Sequence, residues 1–326
     1  MRTQRFREAL SEGRVLVADG AMGTTLFSLG LQGGGCPELL NVERPALVAD
    51  VHRRFAEAGA DIVLTNTFGG NSRRLALHGA SRRVAELNAR AVAVARGATA
   101  DHGTLIAGSV GPTGDLLEPL GPLSHAAAVR VFAEQIEALV EAGVDVVWIE
   151  TLSSLAELAA AVDAAASFDA PAVATLSFDT AGRTMMGVTG TEAGTWASND
   201  GRLTGLGANC GIGPGDAVAA IHDMVAVAPG LVAVAKPNCG MPLYQTDRLV
   251  YPIGPEGMSD FVDLAVRSGA QILGTCCGST PDHIAAVRAA VDAHAGGERP
   301  ARAEIEERLA AKPIRAAVPQ RRRRRG

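Results

Sequence analysis

Residues 124–167 read SHAAAVRVFAEQIEALVEAGVDVVWIETLSSLAELAAAVDAAAS, and the change of period inside them decides the architecture. Ser124 opens an Ala- and Glu-rich stretch with helical spacing that runs to Ala142. The Ala-Gly pair that follows suits a helix C-cap. Next comes the apolar, β-branched run Asp145 to Thr151, and Ser153 then starts a second helical stretch to Ser167. The unit is helix, glycine turn, strand, helix. Working outward, the same unit recurs. Strand-like runs lie at Val15 to Asp19, Asp61 to Thr67, Thr104 to Val110, Ala172 to Phe178, Leu206 to Cys210, Leu231 to Asn238 and Ile272 to Cys276. Helical stretches lie at Pro45 to Ala58, Ser72 to Arg96, Glu192 to Ser198 (the weakest), Pro214 to Ala228, Pro255 to Ser268 and Pro281 to Ala293. AGAD before Ile62 and SGAQ before Ile272 repeat the punctuation. Eight parallel strand–helix units with right-handed crossovers predict an α/β fold of the TIM (β/α)8 type over residues 1–296. An open doubly wound sheet fits less well, because DGAMGTTL after the first strand lacks a dinucleotide fingerprint.

Composition sets the limits. The chain has 326 residues, 47% of them apolar, which is enough to bury a large core without staples. A net charge of −5 offers no broad attraction to nucleic acid or anionic membrane. The charged start MRTQRFREALSEG has no apolar signal core, and no run of 18 apolar residues occurs, so a soluble cytoplasmic protein is expected. Residues 297–326 read as an Arg-rich tail, a short helix and then disorder, with Arg321 to Arg325 a solvated end.

In such a barrel the chemistry stands at the C-terminal ends of the strands. Those ends carry Asp19, Asn66, Ser109, Glu150, Phe178, Asp179, Asn209, Cys210, Asn238, Cys239, Cys276 and Cys277, whereas the opposite ends are apolar or glycine turns. Cys210 ends strand six, while Cys276 and Cys277 end strand eight. Three thiolates around one point suit a zinc site with its fourth position open. They equally suit inert packing, or a vicinal redox pair with a spectator. Adjacent strand residues face opposite ways, so Cys276 and Cys277 can share a metal only if the chain leaves strand geometry there, which Gly278 permits. Cys36 and Cys239 read as packing or loop residues.

The motifs DGAMGTTL, AGADIVLTNTFGGN, AGSVGPTGDLL, ETL, GANCGIGP, KPNCGMP and GTCCGSTPDHI, in order from residue 19 to residue 284, resemble the homocysteine S-methyltransferase family. GSVGPTG and SFDTAGRTMMG are most like its bacterial betaine–homocysteine members. The resemblance implies a Zn2+ barrel with Cys210, Cys276 and Cys277 as ligands and Asn238 as a fourth ligand when substrate is absent. It implies methyl transfer from a small onium donor, betaine first and S-methylmethionine or another sulfonium next, to the thiolate of homocysteine. It also implies a homo-oligomer. PELLNVERP and TNTFGGN are similar, too, to the homocysteine-binding module of cobalamin-dependent methionine synthase. On that alternative a separate methylated corrinoid protein would deliver the methyl group.

Homocysteine carries an ammonium and a carboxylate. Asp19 and Glu150 are candidates for the ammonium, as the family's DG and ET motifs also imply. The backbone N–H groups of Gly20, Ala21 and Met22 are candidates for the carboxylate, and Ser109 for a hydroxyl contact. A quaternary donor calls for aromatic faces, but the aromatic motif positions of the animal betaine enzyme read Gly69 and Thr151 here. Phe68, Phe178, Trp196 and Tyr244 are the candidates to rebuild that box.

Overall fold

Each apolar run pairs in parallel with its neighbours in the computed structural model, which describes residues 2–179, 181–245 and 248–310. The barrel strands, numbered one to eight in chain order, are Leu16–Val17, Ile62–Leu64, Leu105–Val110, Val146–Leu152, Ala172–Leu176, Gly205–Cys210, Val232–Pro237 and Ala270–Leu273. They lie in the order one, eight, seven, six, five, four, three, two. A bridge between Ala18 and Ile62 and the bonds Asp19 N–H to Ile62 O (2.9 Å) and Asp61 N–H to Val17 O (2.7 Å) join the two ends, giving a TIM barrel.

The helices form where the start signals stood. The Ser124 hydroxyl accepts from Ala127 N–H ahead of helix His125–Glu141, and the Ser154 hydroxyl accepts from Glu157 N–H ahead of Leu155–Ala165. The weakest helical reading, Glu192 to Ser198, extends to Gly190–Asp200, because Thr189 and Glu192 form a complete capping box. The stretch Ser72 to Arg96 is not one helix. It divides into Ser72–Ala76, a 3-10 turn at Ser81–Arg83 and Val84–Ala98, with the break at Gly79, whose φ is +68°.

Alternate strand residues point inward, and Leu16, Ala18, Ile62, Leu64, Leu105, Ala107, Val146, Trp148, Val173, Val234 and Ile272 fill the barrel. Phe6 joins this interior cluster, fully buried, from helix Arg2–Ser11. The charged N-terminal segment thereby plugs the barrel floor. A second layer of apolar side chains joins the sheet to the surrounding helices. Helix Arg302–Arg308 docks on that layer through fully buried Ile305, and Arg302–Asp223, Arg308–Asp263 and Arg267–Glu304 ion pairs at 2.7 Å frame it. Arg321 to Arg325 lie outside the described residues. Among the described residues no helix is long and apolar enough to cross a membrane.

Candidate active site

The inward parity that fills the barrel continues one step further at the C-terminal end. Ala107 is followed by Ser109, Trp148 by Glu150 and Val234 by Lys236, so the apolar layers give way to a polar one. These three residues, with Asp19, Gly20, Ala21, Met22, Leu64, Phe68, Thr151, Cys210, Cys276 and Cys277, line a cavity of about 460 Å³.

The thiols converge because the backbone turns sharply at each strand end. Strand eight stops at Leu273, so Cys276 and Cys277 sit in the turn beyond it rather than in a strand. Gly278 follows at φ +85°, where a Cβ would stand 2.0 Å from the Tyr251 ring. Cys210 itself lies in the left-handed region at φ +53°, and a Cβ on the next residue, Gly211, would stand 2.6 Å from Phe178 O. The ligand atoms of Cys210, Cys276 and Cys277 all lie within 4.8 Å of one another, with Cys210 Sγ and Cys276 Sγ 3.0 Å apart. Three corners of a tetrahedral zinc site with bonds of about 2.3 Å need sulfurs about 3.8 Å apart. The Cys210–Cys276 pair must open from 3.0 Å to meet that requirement. The thiols share their protons unevenly. Hydrogen bonds from Cys210 and Cys276 hold Cys277 down to about 4, against burial and with help from the Tyr251 phenol. Cys210 is pushed up by its bonds to Cys276 and Cys277 and by burial. Cys276, although Cys210 pulls it down, is pushed up to about 12 by Cys277 and burial.

Asn238 spans the two thiol-bearing loops. Its Oδ1 accepts from Cys277 N–H (2.9 Å) and its Nδ2 donates to Gly211 O (2.8 Å). The fourth-ligand role expected of it would require this bridge to open. Asn209 ties the neighbouring turn, accepting from Thr151 N–H (2.9 Å) and donating to the Thr151 hydroxyl (2.7 Å), with Thr151 held at φ +62°. Cys239 is buried outside the thiol cluster, and burial lifts it to about 12. Cys36 donates to Glu38.

Glu150 is buried, accepts the Ser109 hydroxyl at Oε1 (2.5 Å) and has only a 3.4 Å contact from Asn209 at Oε2. Burial pushes it up to about 7 against Lys236 and Ser109. Asp19 differs from expectation in being already engaged. Lys236 Nζ donates to its Oδ1 (2.8 Å) and its backbone O (2.7 Å), and Leu64 N–H donates to Oδ2 (2.9 Å). Ala21 N–H likewise donates to the Ser279 hydroxyl (2.9 Å). Lys236 is a site residue that the strand-end reading of the sequence does not include, although its step of two from inward Val234 is the signal that marks it.

Of the four aromatic candidates only Phe68 lines the cavity. Phe178 is buried among core residues, and Trp196 packs against the outer core from helix Gly190–Asp200. Tyr244 is 73% exposed on the hairpin formed by Leu243–Gln245 and Arg248–Val250. Phe27, not anticipated, also lines the cavity.

A family model for homocysteine S-methyltransferase matches residues 16–291. The chain belongs to the homocysteine S-methyltransferase family. It is 33% identical over 298 residues to a methionine synthase of Mycobacterium leprae and 32% identical to one of Mycobacterium tuberculosis, with 85% of this chain covered in each case. The chain spans about a quarter of the length of these curated relatives, 24% and 25%. Among solved structures it resembles the metallated form of the homocysteine methyltransferase MmuM from Escherichia coli, with a TM-score of 0.74 and 25% identity, covering 87% of this chain and 98% of that one. A methyltransferase from Methanosarcina mazei shares the fold at a TM-score of 0.57.

Proposed function

We propose that this member of the family is a zinc-dependent S-methyltransferase that passes a methyl group from a small onium donor, betaine foremost, to the thiolate of homocysteine, giving methionine. The observation that carries the reading is the placement of three convergent thiols and a buried polar layer on one cavity of about 460 Å³. Cys210, Cys276 and Cys277 would hold the metal, a soft thiolate set suited to zinc, and the metallated MmuM neighbour supports that assignment. Zinc bound there supplies the Lewis acidity that strips the proton from a substrate thiol at neutral pH. The rest is work for this chain's residues. Glu150, fixed by Ser109, receives the substrate ammonium. The closed barrel floor excludes water from behind, and the strained turns at Thr151 and Cys210 hold the sulfur-bearing loops in one geometry. The substrate sulfur then attacks the methyl carbon in line, and the donor's C–N or C–S bond breaks with its electron pair going to the leaving amine or sulfide.

A second reading takes the methyl group from a separate methylated corrinoid protein. Two observations favour it: the similarity to methionine synthases some four times longer, and the presence, among the described residues, of only Phe27 and Phe68 as cavity-lining phenylalanine, tyrosine or tryptophan side chains. Exposed Leu116, Leu120, Met185 and Met186 on loops after strands three and five are the kind of surface a partner protein covers. The test is methionine formation by zinc-loaded, reduced protein with homocysteine and, in parallel, betaine, dimethylsulfoniopropionate, S-methylmethionine and a methylated corrinoid protein. Turnover with betaine alone supports the first reading, turnover only with corrinoid replaces it by the second, and a Cys210→Ala variant that keeps zinc and activity overturns both.

A further inference from the structure

We propose that Lys236 is the acceptor-specificity residue of this cavity, its ammonium receiving the α-carboxylate of the thiol amino acid. The inference rests on the homocysteine reading above and deepens it. Lys236 is 2% exposed, stands in the inward polar layer beside Glu150 and Ser109, and lines the cavity. A lysine ammonium carries three donors. Two are engaged by Asp19, one on its backbone O at 2.7 Å and one on Oδ1 at 2.8 Å. The third has no protein acceptor among the described residues. The pairing also redistributes the roles around it. Each Asp19 oxygen already accepts one bond, Oδ1 from Lys236 and Oδ2 from Leu64 N–H, whereas Glu150 Oε2 has only a 3.4 Å contact. The substrate ammonium therefore goes to Glu150. Its carboxylate needs donors, and in the turn after strand one Ala21 N–H is committed to Ser279. Lys236 supplies a fixed positive charge within the same layer. The Asp19 carboxylate, bonded at 2.8 Å and equally buried, gives this ammonium its counter-charge. Asp19 becomes the positioning residue, holding the ammonium by two bonds and leaving the third donor for the ligand.

The experiment uses three thiols that differ by one charged group: L-homocysteine, 3-mercaptopropan-1-amine, which lacks the carboxylate, and 4-mercaptobutanoate, which lacks the ammonium. Binding to zinc-loaded protein is read by calorimetry, for the wild type and for Lys236→Met combined with Asp19→Asn, which removes the buried pair together and leaves no lone charge. In the wild type, loss of the carboxylate should weaken binding about tenfold or more, the size of a charge-assisted hydrogen bond. In the pair variant the same loss should matter less than about twofold, while discrimination against 4-mercaptobutanoate persists through Glu150. A pair variant that still rejects 3-mercaptopropan-1-amine as the wild type does overturns the role of Lys236. So does a wild type that binds this amine as tightly as homocysteine. Should the pair variant misfold, Lys236→Gln, which keeps a donor to Asp19 without the charge, takes its place, and the same ratios of affinity support or overturn the role. A wild type that binds none of the three thiols sinks the homocysteine reading itself, and this inference with it.

Discussion

His52, on helix Pro45–Glu57, has both ring nitrogens buried without a partner among the described residues, and burial alone holds its pKa down to about 4. The folded state therefore keeps this ring neutral, while the unfolded chain protonates it near 6.5. Below pH 6.5 the unfolded state takes up the proton first, so stability falls with acid until about pH 4. The loss between pH 7 and pH 5 should be about 2 kcal/mol. Urea unfolding at the two pH values should show it, and in His52→Leu this contribution should be gone, with stability at pH 7 equal or higher because two unpaired polar atoms leave the core. Asn238 gives a second prediction. Asn238→Ala cuts the bridge from Gly211 O to Cys277 N–H, and zinc affinity, read by competition with a chromophoric chelator, should fall about 10- to 100-fold. The thiol trio, Ser109, Glu150 and Asp19 are legible from the sequence because each stands at or just past a strand end with a known facing direction. Lys236 is less so, because it lies two residues inside the polar end marked by Asn238 and Cys239, and only the inward parity counted from Val234 reveals it. Tyr251 is hidden because it reaches Cys277 from beyond a hairpin that no alternation in the sequence announces.

The terminal helices carry the element-scale arguments. Helix Arg2–Ser11 places Phe6 inside the barrel, with Ala9 and Leu10 packed against the same cluster. Phe6→Ala should cost about 3–5 kcal/mol, read as a shift of the urea midpoint at unchanged slope. Its residues 6, 9 and 10 follow helical spacing, but the surrounding charge gives it the look of a solvated end, and the sequence reading places no helix there. Helix Arg302–Arg308 is expected from the sequence, yet its docking is not, because one apolar residue, Ile305, carries the contact and salt bridges do the orienting. The glycines of strand six mark a further constraint. A Cβ at Gly207 would stand 1.9 Å from Val234 O, and backbone in a barrel cannot give way. Gly207→Ala should therefore prevent strands six and seven from pairing, with loss of cooperative unfolding as the readout. The eight strand runs themselves are legible because burial on both faces leaves near-continuous apolar stretches. The break inside Ser72 to Arg96 is marked only by His78-Gly79, a weak signal within a long helical pattern.

At the scale of the whole molecule, the thiol loops after strands six and eight are joined through strand seven by Asn238, so occupancy of the thiol cluster should tighten a third of the barrel rim. Zinc removal by a chelator under reducing conditions should lower the melting temperature, and its return should restore it, with the size of the shift set by free zinc relative to its dissociation constant. Cys210→Ala should show no such response. The plug formed by Phe6 has one more consequence. With the floor sealed and the interior filled, the cavity is reached from the C-terminal end of the barrel, and on the proposed function both substrates enter there and must pass in turn. The thiol, whose sulfur belongs at the bottom beside Cys210, Cys276 and Cys277, is first in and its methylated form last out. The kinetics should be those of a queue: intersecting initial-rate lines, with methionine competing directly against homocysteine and the demethylated donor against neither substrate alone.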